Sequence, residues 1–173
     1  GHACALLTGS AVLVHLIPQL ISELDFSLTT AGLLVAVLTG FQLSGQLLGG
    51  FLGDKLNKRL ICVLCMFGHA MGLLLLAYAS NLWMVLGSTV LHGLAWGIRG
   101  PLMVALRADY FGPSCFGTIM GFSSLIVMLG MSVGPIFAGY LADIHGNYEL
   151  AFSTLAIAAI VGAFCFAAAK PPR

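Results

Sequence analysis

The chain has 173 residues, 60% hydrophobic and only 8% charged, with a mean hydropathy of +1.04. A soluble domain carries about 25% charged residues, so the solvent for most of this surface is lipid. A net charge of +1 offers nucleic acid nothing to hold, and at about 20 apolar residues per span six spans use up the chain and leave no soluble domain.

Breaking the sequence at charges and turn formers predicts six helices. The first covers residues 3–21 and carries His15. It starts directly after Gly1 and His2, without the basic flank and cleavage site of a signal peptide, and without a methionine, so the chain is expected to be a piece of something longer. The second covers 29–52, with Gln42 and Gln46 one turn apart. The third, 60–79, holds His69 and the pair Cys62 and Cys65, which lack a second pair or a histidine at ligand spacing and read as packing. The fourth, 82–107, carries His92, Trp96 and Arg99 at i, i+4 and i+7, on one face. The fifth and sixth cover 116–142 and 149–168. Five cysteines, an odd number mostly inside apolar runs, imply no disulfide framework. No metal or cofactor is expected.

The connections alternate in charge. The second carries Lys55, Lys58 and Arg59, the fourth is flanked by Arg107, and the C-terminus carries Lys170 and Arg173, whereas the other side has no basic residue. By the positive-inside rule both termini and the 55–59 loop are expected in the cytoplasm, with the plasma membrane as the host bilayer. An even number of spans follows. Gly50-Phe51-Leu52-Gly53-Asp54 returns as Gly139-Tyr140-Leu141-Ala142-Asp143 half a chain later, each copy closing the middle helix of a three-helix unit. Three is odd, so the second unit enters from the opposite side, an inverted repeat. Glycines spaced by four, at Gly45-Gly49-Gly53, Gly68-Gly72, Gly93-Gly97, Gly117-Gly121 and Gly130-Gly134, predict close helix contacts in lipid. The expected fold class is an all-α polytopic membrane protein, six transmembrane helices in a 3+3 inverted repeat.

Residues 50–59, a glycine, three residues, an aspartate and basic residues around a turn, resemble the signature loop of the major facilitator superfamily. Asn57 stands where glycine is usual; asparagine also tolerates left-handed backbone angles. The resemblance extends to His15-Leu16-Ile17-Pro18, to Arg107-Ala108-Asp109-Tyr110-Phe111-Gly112 and to Gly134-Pro135 with the second repeat copy. It implies helices seven to twelve of that family, in the branch of monocarboxylate and oxalate/formate carriers. The single domain 1–173 would then be the C-terminal half of a twelve-helix transporter. The loop, with Gly50, Asp54, Lys55, Asn57 and Arg59, is implied to act as a conformational latch. Asp54 could meet Lys55, Arg59 or the N-terminus of the fifth helix, whose dipole favours an anion; a solvated loop that only sets topology is the alternative.

All six acids fall in or beside loops, leaving Arg99, His15, His69 and His92 as the ionisable groups within the spans. A buried arginine is a functional candidate by default, and its forked donors suit a carboxylate. The resemblance makes the first and fourth helices cavity liners, so Arg99, His15, His92 and Trp96, with Gln42 and Gln46, are the candidate substrate pathway. Arg99 could instead satisfy carbonyls freed near Gly97 and Pro101, or snorkel toward Asp109. The second helix has Gln46 where anion-carrying relatives commonly place arginine, which leaves room for a neutral polar solute. A rhomboid-type protease fails on its Gly-x-Ser-Gly, because Gln42 precedes Leu43-Ser44-Gly45, and an aquaporin-like pore fails for want of Asn-Pro-Ala pairs.

No enzyme is expected. The expected function is secondary active transport of a small organic solute, an organic anion such as a monocarboxylate, by alternating access. Its partners would be the solute, a coupling proton, the lipid bilayer and a missing N-terminal six-helix half. A half-carrier working as a homodimer is the alternative.

Overall fold

Side-chain caps decide where three of the helices begin. Ser27 accepts from the backbone N–H of Thr30, Asn57 from those of Arg59 and Leu60, and Asn81 from that of Met84, each satisfying donors a helix start leaves open. The computed structural model describes residues 1–169, so Lys170 and Arg173 lie outside the described residues. The elements are α1 (His2–Ser22), α2 (Leu28–Lys55), α3 (Lys58–Ala77), α4 (Leu82–Phe111), α5 (Phe116–His145) and α6 (Glu149–Ala168).

All six expected helices are present, with shifted ends. α2 runs on through Asp54 and Lys55, α4 to Phe111 and α5 to His145. A first charge marks where a helix leaves the apolar layer, not where its backbone hydrogen bonds stop. Lys55 in the last turn of α2 complements the negative helix end, and α5 stops only at Gly146, whose φ of 73° is the left-handed cap that glycine adopts without strain.

Five helices are long and apolar enough to cross a membrane. α4, with 30 residues, would measure about 45 Å, but Ser88, Thr89, His92 and Arg99 dilute its apolar content, and all four side chains are buried in the bundle. The chain is an integral membrane protein.

The main packed pairs are α2 on α4, α3 on α6 and on α4, and α1 on α5. Exchanging α1 with α4, α2 with α5 and α3 with α6 turns the α2–α4 contact into the α1–α5 contact and leaves α3–α6 on itself, as the 3+3 inverted repeat requires. Glycines set both of these related contacts. A Cβ on Gly45 would come within 2.8 Å of the Leu94 carbonyl oxygen, and one on Gly97 would collide with the Gln42 carbonyl. On the other pair, a Cβ on Gly134 would collide with the Leu7 carbonyl. Gly117 and Gly121, in contrast, face open space, so that row packs against nothing described here. α3 is central, burying Met66, Leu73 and Leu76 beside Phe152 and Leu155 of α6. α2 and α5 do not touch each other, and both leave most of their apolar surface uncovered, including Leu47, Phe51, Phe122 and Ile136.

Candidate functional site

Gly9 on α1 exists to seat an aromatic ring: any Cβ there would overlap the six-membered ring of Trp96. Trp96 so placed forms one wall of a small cavity between α1, α2 and α4, lined by Gly9, Val12, Leu13, Leu38, Gln42, His92 and Trp96, with a volume of about 40 Å³. That is room for about one water, not for an organic solute. Of the two glutamines on α2, Gln42 lines the cavity, while Gln46 is exposed.

Behind the cavity His92 meets His69 of α3, Nδ1 to Nδ1 at 3.1 Å. Their rings stand edge to face at 4.4 Å between centroids, and Trp96 lies 6.1 Å from His92 and 6.4 Å from His69. Both histidines are fully buried, and neither Nε2 has a partner among the described residues. The expected pathway does not include His69. The available clue was spacing, since Cys62, Cys65 and His69 at i, i+3 and i+7 form one polar stripe, and the structure buries it.

Arg99 is sealed, with 2% of its surface exposed. Its Nη1 donates to Nδ1 of His2 at 2.7 Å, which places the His2 hydrogen on Nε2, and its Nε has no partner among the described residues. Although Arg99 shares a helix face with His92, it does not border the cavity. His2 escaped notice because only tertiary contact brings the start of α1 to the middle of α4.

His15 lies apart from this group, at the α1–α5 contact. Its Nε2 donates to the Pro135 carbonyl at 2.9 Å and its Nδ1 sits 3.1 Å from the Tyr148 hydroxyl. Since a carbonyl only accepts, Nε2 carries a hydrogen, and in that tautomer Nδ1 accepts from Tyr148. Burial, then the charges of Glu23 and Asp143, hold the Tyr148 phenol above its ordinary range, so it keeps the proton it donates. Glu23 also accepts from the backbone N–H of Tyr148 at 2.6 Å, and Gln19 joins Glu23 to the Leu76 carbonyl. This polar chain ties α1, α3 and the α5–α6 turn together.

At the opposite end, the 50–59 segment differs from expectation. Asp54 is exposed and pairs with neither Lys55 nor Arg59; α2 makes no contact with α5, so the N-terminus of the fifth helix is out of its reach. Gly50 faces open space. Lys55 lies over the Phe51 ring at 4.1 Å, one turn back on its own helix. Asn57 is not left-handed but extended, at φ −66° and ψ 106°, because it caps α3. Arg59 donates to the Ala169 carbonyl at the end of α6. Among the described residues the ion pair at this end is Lys58 with Asp109, 2.7 Å apart, tying the start of α3 to the end of α4.

The sequence profile of the Major Facilitator Superfamily matches residues 1–173. The chain belongs to that superfamily. Three curated relatives are a triacylglyceride transporter of Mycobacteroides abscessus, 28% identical over 87% of this chain and 30% of the relative; the class H tetracycline resistance protein of Pasteurella multocida, 25% identical over 85% and 37%; and the quinolone resistance protein NorA of Staphylococcus aureus, 26% identical over 84% and 37%. This facilitator chain thus spans about a third of the length of the relatives it matches. Family and relatives are those of transporters, not of enzymes.

Proposed function

We propose that this chain forms one six-helix half of a secondary carrier for a small organic solute, equivalent to the C-terminal half of a twelve-helix transporter. It would work by alternating access against a facing half or a second copy. One observation carries the reading: Gln42 of α2 and His92 and Trp96 of α4 converge on a cavity of about 40 Å³ that α1 walls with Gly9, Val12 and Leu13, whereas an organic ligand needs about 300 Å³ or more. The flanking α2 and α5 hold large apolar faces uncovered beside it. A facing surface would complete the chamber, and the exposed Asp54 of the signature loop would find its latch partner there.

The solute would be an organic anion such as a monocarboxylate, in the manner of the monocarboxylate and oxalate/formate branch. Arg99 supports this reading, because among the described residues its one side-chain partner is an imidazole and no carboxylate offsets its charge. Release from His2 would expose its donors. Gln42, His92 and Trp96 would contact the solute from the cavity side, and His15 from α1. A second reading is a larger amphipathic solute, polycyclic or lipid-like, as the names of relatives linked to tetracycline, quinolone and triacylglyceride suggest. The lining by Val12, Leu13, Leu38 and Trp96 favours it. The host would be the plasma membrane, with the Lys55 to Arg59 end in the cytoplasm. In support, Lys58, Arg59, Asp109 and Ala169 all meet at one end of the bundle.

Uptake of labelled lactate and efflux of ethidium by vesicles carrying the assembled protein test both readings. On the anion reading, Arg99→Gln weakens lactate binding by about tenfold or more, the loss of one or two charged hydrogen bonds. Uptake unchanged for every anion tested would overturn that reading, and ethidium efflux with no anion uptake would establish the second.

A further inference from the structure

We infer that His69 and His92 together form a proton-binding site that loads from the cavity beside Trp96. This rests on the carrier reading for its use, but not for its existence.

Two Nδ1 atoms 3.1 Å apart hold one hydrogen between them. One ring donates it, so that ring, when neutral, has a bare Nε2 with a free lone pair. The accepting ring carries its own hydrogen on Nε2. A buried pair used only for packing would satisfy these outer nitrogens, since unpaired buried polar groups are costly; here both stay unpartnered. His92 borders the cavity and His69 does not, and a cavity of about 40 Å³ admits a water between Gln42 and the His92 ring, which would reach Nε2 once that ring turns toward it.

An arriving proton forms an N–H bond at the bare Nε2 of His92 and makes that ring an imidazolium, which still donates its Nδ1–H. When the shared hydrogen crosses, the His92 Nδ1–H bond breaks and the His69 Nδ1–H bond forms, moving the charge to His69. Return of the shared hydrogen to His92, and transfer of the His92 Nε2 proton back to a water or solute in the cavity that His92 borders, restore the neutral pair. No other bond changes and nothing is oxidised.

The surroundings decide what accompanies the proton. α4 contributes Arg99, α3 contributes Cys62 and Cys65, and α1 brings His2, itself bonded to Arg99, with Cys4 and, farther along, His15 and Glu23. α2 brings Gln42, its ionisable Asp54 and Lys55 lying at its far end; α6 carries Glu149 and Cys165, both exposed. No carboxylate packs against the pair. Trp96 lies 6.1 and 6.4 Å from the two rings, at the outer limit for a cation beside an indole, and the added charge lacks a counter-ion among the described residues. A carboxylate in the cavity would provide it, so one proton and one anion bind together.

Solid-state nitrogen NMR of the protein in lipid vesicles, labelled at histidine, reads the site in the wild type. With lactate present, one ring is expected to pass from a single to a double N–H between about pH 8 and about pH 5; without it, burial and the nearby Arg99 cation oppose the added charge, and both rings are expected to stay singly protonated. His69→Gln is expected to remove the Nδ1-to-Nδ1 signal. Both rings staying singly protonated throughout, with and without lactate, would overturn the site. In the same vesicles, one-proton coupling predicts about tenfold lactate accumulation per pH unit of gradient over protein-free controls. His69→Gln is expected to abolish that gradient dependence far more than it slows lactate counterflow. Equal loss of both would mark a packing role and overturn the inference. Ring protonation in a protein that moves neither lactate nor ethidium would sustain the site and sink the carrier reading.

Discussion

Single side chains here do work that their residue type alone does not announce. Asn57 stands in a motif position where glycine is usual, and the structure uses it as a helix cap with two accepted hydrogen bonds. Asn57→Ala is therefore expected to cost about 1 kcal/mol and Asn57→Ser, which keeps the cap, only a few tenths, measured by denaturation in detergent; were a left-handed backbone the requirement, Ser would cost as much as Ala. Gly9 is the seat of Trp96. Gly9→Val is expected to push the indole out of the cavity wall, seen as a red shift in tryptophan emission relative to wild type, whereas Gly32→Ala, with open space around it, leaves the emission unchanged. The Lys58–Asp109 pair is partly exposed, at 26% and 51%, so Lys58→Ala should cost less than about 1 kcal/mol.

At the scale of helices, lipid removes the hydrophobic drive for association and leaves close backbone packing to supply it. The glycine rows were legible in the sequence, but which rows meet a neighbour was not, because spacing by four marks a face without saying what lies opposite. Gly97 faces the Gln42 carbonyl, while Gly117 faces open space within this chain. Gly97→Ala is accordingly expected to destabilise by about 1–3 kcal/mol through overpacking, and Gly117→Ala to stay within about 0.5 kcal/mol, as read from thermal unfolding in detergent. Helix number came from apolar run length, and helix ends were misjudged by a few residues. A charge ends an apolar run, yet a helix ends only where its last carbonyls are capped, as at Gly146.

For the whole molecule, orientation gives a direct test. Cys115, exposed between α4 and α5, should react with an impermeant maleimide only from the cytoplasmic side of sealed vesicles. Asn147→Cys, in the exposed α5–α6 turn, should react only from outside. The reverse pattern would invert the proposed topology. Cys62 and Cys65 are buried and should not react from either side before denaturation.

Composition alone determined that this is a lipid-embedded helical protein, and the recurrence of one glycine-to-aspartate segment determined that it is built twice, inverted. These properties are sums or periodicities along the chain, so they survive without knowledge of contacts. Tertiary structure decided the rest. His92, Trp96 and Arg99 share a helix face in the sequence, but α3 supplies His69 to the first two and the start of α1 supplies His2 to the third. His15, grouped with them on expectation, answers instead to Pro135 and Tyr148. A polar residue in lipid takes its role from whichever helix covers it, and that pairing is fixed only when backbones close on one another at positions such as Gly9, Gly97 and Gly134.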